Sequence, residues 1–180
     1  GIMLLLTHVV ALPLVVYARA YFSSQTEGAS YFWPLTCFLL AAMNALFMSA
    51  DIFNIYVTLE LLGLAAVGLV AAAGSAGPVT AAIRYLLVTL LGSGAYLMGV
   101  ALLYGTYGSV SLAVLGPLLS TTEISAAACL AAMLMLAGLL LKTALFPFHF
   151  WLPPAHGGAP APVSALLSAL VIKASFYLIL

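Results

Sequence analysis

Apolar residues run along this chain in long blocks separated by short polar or turn-forming stretches. A bilayer core of about 30 Å needs about 20 apolar residues per helix. The blocks predict about six such spans, near 2–18, 34–50, 52–73, 80–104, 124–147 and 161–180. Their separators are SSQTEGAS (23–30), Asp51, GSAGP (74–78), YGSVSLAVLGP (107–117) with STTE (120–123), and the Pro/Gly/His-rich stretch 153–162. The expected fold is all-α: a single polytopic helix bundle over 1–180, multi-pass in the cell (inner) membrane.

Composition strengthens this reading. Hydrophobic residues make up 66% of the chain and charged residues 4%, with a mean hydropathy of +1.29, whereas about a quarter of the residues of a soluble domain are charged. The charges, Arg19, Glu27, Asp51, Glu60, Arg84, Glu123, Lys142 and Lys173, sum to zero. They offer no field to attract nucleic acid or an acidic lipid surface. Gly1 at the start and an unfinished apolar run at Leu180 lead us to expect part of a longer polypeptide. Ile2 to Tyr17 followed by Ala18-Arg19-Ala20 resembles a signal peptide but lacks the basic segment ahead of it. Alternating the spans puts Arg19, Arg84, His149 and His156 on one side and Glu123 on the other, and the positive-inside rule makes the first side cytoplasmic. Cys37 and Cys129 fall at opposite membrane faces, so both are expected to be free thiols.

Against so apolar a background, the ionisable residues inside the spans call for explanation. Lys142 lies within LAAMLMLAGLLLKTALFPFHFWLPPAH, just ahead of Pro147. Glu60 lies eight residues into the third span, which at 1.5 Å per residue is ~12 Å deep. Phe53, Tyr56, Gly63 and Val67 share its helical face. A lone carboxylate in a low-dielectric interior tends to protonate and a nearby cation keeps it charged, so this position needs a partner. Lys142 and Lys173 are the available cations, and Lys173 is ~16 Å into the last span. Groups set this close titrate as a coupled set, the minimum hardware of a proton relay. The alternative is an inert Glu–Lys pair that fixes helix registry.

Pro147 lacks an N–H and clashes with the carbonyl of Thr143, so the fifth span is expected to kink or break immediately after Lys142. A break at membrane depth is tolerated only where it is buried or lines a cavity. If helical spacing continues, Lys142, Phe146 and His149 share a face, with water bridging lysine to imidazole. His156, in the turn-rich PPAHGGAPAP, is either a second shuttle or an interfacial cap. Asp51 is expected to be a helix N-cap with Asn54 in the same turn, or else to sit at a channel mouth. Arg84 is expected to snorkel to the interface or to modulate Glu60. His8 is read as a packing residue. Gly92, Ala95 and Gly99, and Gly63 and Val67 beside Glu60, are expected to permit close helix contact. The chain carries no phosphate-binding glycine loop, no CxxC or HExxH pattern and no Ser/His/Asp arrangement. Neither catalysis nor a metal or cofactor is expected within it.

SADIFNIYVTLELLGLAAVGLVA, AAIRYLLVTLLGSGAYLMGVALLYGTYGS and LLLKTALFPFHFWLPPAHGGAPAPVSALLSALVIKASFYL together resemble the antiporter-like membrane subunits of respiratory complex I and of multisubunit Na+/H+ (Mrp-type) antiporters. The last stretch is the most specific, and the likeness covers nearly the whole chain. It implies a fragment matching the third to eighth helices of a protein with about fourteen, containing the first of two inverted repeats. It also implies that Glu60 and Lys142 form a switching pair, that Lys142 lies on a discontinuous helix, and that His149 and Lys173 continue a lysine–histidine–water axis. Pro154 departs from the polar residue many members carry in WLPxAH. FNIYVTLE leans toward the D-type antiporter subunits or a hydrogenase-type subunit. The implied function is proton translocation, with or without Na+, beside other membrane subunits of a complex. The alternatives are a subunit of a quinone-linked oxidoreductase and a passive scaffold.

Overall fold

The computed structural model describes residues 1–22, 29–121 and 123–180. Most of the predicted separator 23–30, with Glu27, and Thr122 of the second polar separator lie outside the described residues. The helices are α1 (Ile2–Tyr21), α2 (Ala29–Met48), α3 (Ile52–Ala71), α4 (Ala76–Tyr107), α5 (Leu112–Thr121) and α6 (Ala126–Thr143). A 3-10 turn (Phe148–Trp151), α7 (Leu152–Gly158), α8 (Ala161–Leu166), a π-helical turn (Leu167–Val171) and α9 (Ile172–Tyr177) complete the chain. Among the described residues, five stretches are long and apolar enough to cross a membrane: Ile2–Tyr21, Ser30–Met48, Ile52–Ala71, Ala76–Tyr107 and Ala126–Gly158. The predicted sixth span is the shorter apolar helix Ala161–Tyr177.

Local chemistry sets the helix ends. Asp51 is extended and its carboxylate accepts from the Asn54 amide at 2.6 Å, as the N-cap reading expected. Ser125 caps α6 by accepting from the Ala128 amide at 3.1 Å. Gly108 closes α4 in the left-handed region at φ 67°, where no side chain has to be accommodated. The α2–α3 and α4–α5 junctions are tied at one end of the bundle, with the Ile52 amide donating to Val110 at 3.0 Å and that of Leu112 to Ala50 at 3.1 Å. Asp51 and Glu123 belong to this end. Arg84 and the α7 residues Pro154 and Gly157 line a common recess at the other end.

The outward faces are apolar, for example Leu5, Val9, Leu12 and Val16 of α1 and Leu87, Leu91 and Met98 of α4, as lipid-facing helices require. Inside, small residues govern the approach of α4 to α6. A Cβ built on Gly92 would stand 2.9 Å from the Gly138 carbonyl oxygen, and one on Gly138 would collide with the Gly92 carbonyl. Gly99, as expected from the sequence, is held equally close to Ala131.

Several predicted boundaries are corrected. The fifth span does not run to 147. It ends at Thr143, because the chain turns left-handed at Ala144 and the amides of Ala144 and Leu145 fold back onto the carbonyls of Leu141 and Leu140. Phe146 and His149 therefore do not continue the Lys142 helix face. The separator 107–117 is largely helical, as the end of α4 and the start of α5, and His156 lies on α7 rather than in a loop. The last span is interrupted by the π-helical turn.

Because the α4–α6 contact is backbone against backbone, Gly138→Ala is expected to destabilise the assembled protein by about 1–3 kcal/mol. A thermal-unfolding midpoint in detergent that drops clearly below wild type checks this, and an unchanged midpoint contradicts it.

Candidate functional site

The α4–α6 crossing at Gly92 and Gly138 places the next turn of each helix face to face. Lys142 follows Gly138 by four residues and so points the same way. Its ammonium reaches across to α3, where Nζ donates to Glu60 Oε1 at 3.1 Å. Ser93 Oγ donates to that same Glu60 oxygen from α4 and also lies 2.8 Å from the Thr89 carbonyl. The pair is largely enclosed, with side-chain exposures of 6% for Lys142 and 19% for Glu60. Gly63, one turn beyond Glu60, faces the ammonium, and a Cβ there would stand in ordinary contact with Lys142 Nζ at 3.8 Å.

Lys142 occupies the last turn of α6, where the exposed carbonyl ends of the helix favour a cation. The break that follows is capped at Leu140 and Leu141. Ala144 turns left-handed at φ 54° and ψ 35°, its amide donates to Leu141 at 3.3 Å, and Leu145 donates to Leu140 at 3.3 Å. This is the paired arrangement that satisfies orphan carbonyls at a helix end. Trp151 adds a third bond, its indole N–H donating to the Leu141 carbonyl at 3.1 Å. The indole ring stacks on Tyr85 of α4 at 4.4 Å between centroids and 3° between planes. Thus α4 grips the broken segment as well as the ion pair.

The other predicted residues lie apart from the pair. His149, exposed on the 3-10 turn, stacks against Phe146 at 5.9 Å. Lys173 is exposed and lines an apolar groove with Met3, Thr7 and Val10 of α1 and Met43 and Phe47 of α2. Among the described residues, no hydrogen bond or ion pair joins Lys142 to either. His156 Nδ1 lies 2.6 Å from Ser164 Oγ, tying α7 to α8. Arg84 is exposed at the α7 end of α4, in keeping with snorkelling. Asp51 is committed to its capping role. His8 is exposed, its Nδ1 2.7 Å from the Leu4 carbonyl.

Sequence reasoning missed Ser93, Thr89, Tyr85 and Trp151. Tyr85, Thr89 and Ser93 recur every four residues on one face of an otherwise apolar helix, a polar stripe that marks an inward-facing surface.

With this geometry in hand, comparison with known proteins places the chain. Residues 49–180 match the model of the NADH:quinone oxidoreductase/Mrp antiporter transmembrane family. The chain belongs to this family. It is 40% identical over 98% of its length to the N-type subunit of NADH-quinone oxidoreductase from Desulforudis audaxviator, covering 35% of that protein. It is 30% identical over 99% of its length to the D-type subunit of the Na(+)/H(+) antiporter from Alkalihalophilus pseudofirmus, covering 36% of it. Both kinds of subunit are thus relatives, and of these two the oxidoreductase subunit shares the higher identity. Among solved structures, the chain superposes on a chain of the archaeal membrane-bound sulfane sulfur reductase with a TM-score of 0.89 at 28% identity, covering 98% of this chain and 36% of that one. The match to the Mrp complex of a Dietzia species has a TM-score of 0.82 at 31% identity, covering 99% and 34%. The chain spans about a third of the length of these relatives. It is an antiporter-like member of the family, and its matched structures are components of multisubunit membrane complexes.

Trp151→Phe keeps the ring on Tyr85 but leaves the Leu141 carbonyl without the indole donor. The carbonyl keeps the Ala144 amide, so the loss is expected to cost about 0.5–1.5 kcal/mol, the net worth of one hydrogen bond. Chemical denaturation of the purified protein checks the value, and wild-type stability contradicts the capping role.

Proposed function

We propose that this chain forms part of a proton-translocating, antiporter-like subunit that works beside other membrane subunits in a multisubunit complex of the cell membrane. One observation carries the reading: the enclosed Glu60–Lys142 pair, 3.1 Å apart, at the end of a broken helix. A pair whose only task is to hold helices together gains little from burial, since an apolar pair of similar volume is often as stable or more so. A pair whose cation sits at a helix break has an arrangement to switch between. In this scheme Lys142 carries the proton, Glu60 holds or releases the ammonium, and Ser93 keeps the carboxylate in place. His149 and Lys173 take part through bridging water and movement of the broken segment, and His156 belongs to the cytoplasmic approach. Kinship with subunits named for Na(+)/H(+) antiport and for NADH-quinone oxidoreduction supports ion transport as the shared task. The substrate assigned to this chain is the proton.

In the intact complex reconstituted into liposomes, Lys142→Ala and Glu60→Ala are each expected to abolish proton translocation while subunit assembly persists. A pH-sensitive dye inside the liposomes reads the flux, and wild-type flux in both variants overturns the proposal in favour of a scaffold.

A further inference from the structure

Beside the ion pair, a cavity of about 10 Å³ is enclosed by Leu59, Leu62 and Gly63 of α3, Tyr85 and Thr89 of α4, Lys142 of α6, Val171 at the end of the π-helical turn, and Ser175 of α9. That volume matches about one water-sized probe, and a buried water needs two to four polar partners. Here the partners are at hand. Lys142 has three N–H donors and Glu60 Oε1 takes one of them. Thr89 Oγ1 donates its proton to the Leu86 carbonyl at 3.0 Å, which leaves its lone pairs to accept. Ser175 is 3% exposed and, among the described residues, its hydroxyl has no protein hydrogen-bond partner.

The π-helical turn sets the register of α9. Its wider turn closes with the Ile172 amide donating to Leu167. From there Ser175 joins Lys142 around the cavity, while Lys173, two positions earlier, faces the groove against α1 and α2. The two polar residues of α9 thus serve different surfaces.

We propose that Ser175 and Thr89 hold one water against the Lys142 ammonium, and that this water is the second partner that lets the ammonium leave Glu60 without being stripped of hydrogen bonds. An ammonium parting from its carboxylate in an apolar interior otherwise loses both its Coulomb partner and its solvation. A single water on a serine and a threonine lowers that barrier. Ser175 and Thr89 are positioning residues, acting on Lys142 through the water. The inference rests on the proposed role of Lys142 in translocation.

The isosteric pair Ser175→Val and Ser175→Thr tests it in the reconstituted intact complex. Threonine keeps the hydroxyl and valine removes it at nearly the same volume. The valine variant is expected to translocate protons at least tenfold more slowly, with the threonine variant remaining within about threefold of wild type. Cryo-electron microscopy at a resolution that shows ordered waters is expected to reveal density between Lys142, Thr89 and Ser175 in wild type and to lose it in the valine variant. Equal rates in the two variants, or a dry cavity in wild type, overturn the inference. Lys142→Ala, run alongside, separates the claims. If it retains flux the translocation role of Lys142 fails, whereas if it abolishes flux and valine matches threonine only the water site fails.

Discussion

A charge pair removed from water governs this bundle. Burying an ammonium and a carboxylate costs several kcal/mol per ion, and Coulomb attraction offsets this only where geometry is good and remaining hydrogen-bonding positions are filled. The chain meets that condition from three helices at once. α6 supplies Lys142, α3 supplies Glu60, and α4 supplies the Ser93 donor on the same carboxylate oxygen. Close approach of α4 to α6 at Gly92 and Gly138 is what brings the three within reach. A bulkier residue at either position would push Lys142 away from Glu60, so packing and electrostatics here are one constraint seen from two sides.

The broken helix meets a second requirement. Peptide groups freed at membrane depth must find partners inside the protein. At the end of α6 they find backbone amides from Ala144 and Leu145 and the indole of Trp151. Ending the helix just past Lys142 also leaves its cation in the last turn, where the helix dipole contributes about 0.3–1 kcal/mol at exposed sites and more when enclosed. Tyr85 ties this terminus to the helix that carries Ser93, through its stack with Trp151. Displacement of the segment after Thr143 would therefore be felt at α4, and through α4 at Glu60.

Much of this was legible in the sequence, for identifiable reasons. Hydropathy marks spans because lipid admits only helices whose surfaces are apolar, and charges stand out against that background. On those grounds Glu60 needed a cation and Lys142 and Lys173 were both available; the family resemblance singled out Lys142, and the structure places Lys142 beside Glu60. The helix break was expected from Pro147, yet its position was not, because the chain leaves the helix three residues before the proline at a left-handed Ala144 that no local rule requires. The shared face of Lys142 and His149 assumed a continuous helix and disappeared with it. α5 was overlooked because SLAVLGP reads as a turn-rich separator until it packs. Ser93, Thr89 and Ser175 were passed over because a hydroxyl in an apolar span is unremarkable by itself. Only tertiary packing, and for Ser175 the added residue of a π-helical turn, shows what each one faces.

The central claim is that the Glu60–Lys142 pair exists for translocation and is not needed to hold the fold. The doubly neutral variant Glu60→Gln with Lys142→Met tests it most directly, because it removes both charges and leaves neither one buried alone. Thermal stability and proton flux are measured on the same reconstituted intact complex. The account predicts stability equal to or above wild type together with no proton flux. Flux persisting in the doubly neutral protein would contradict it.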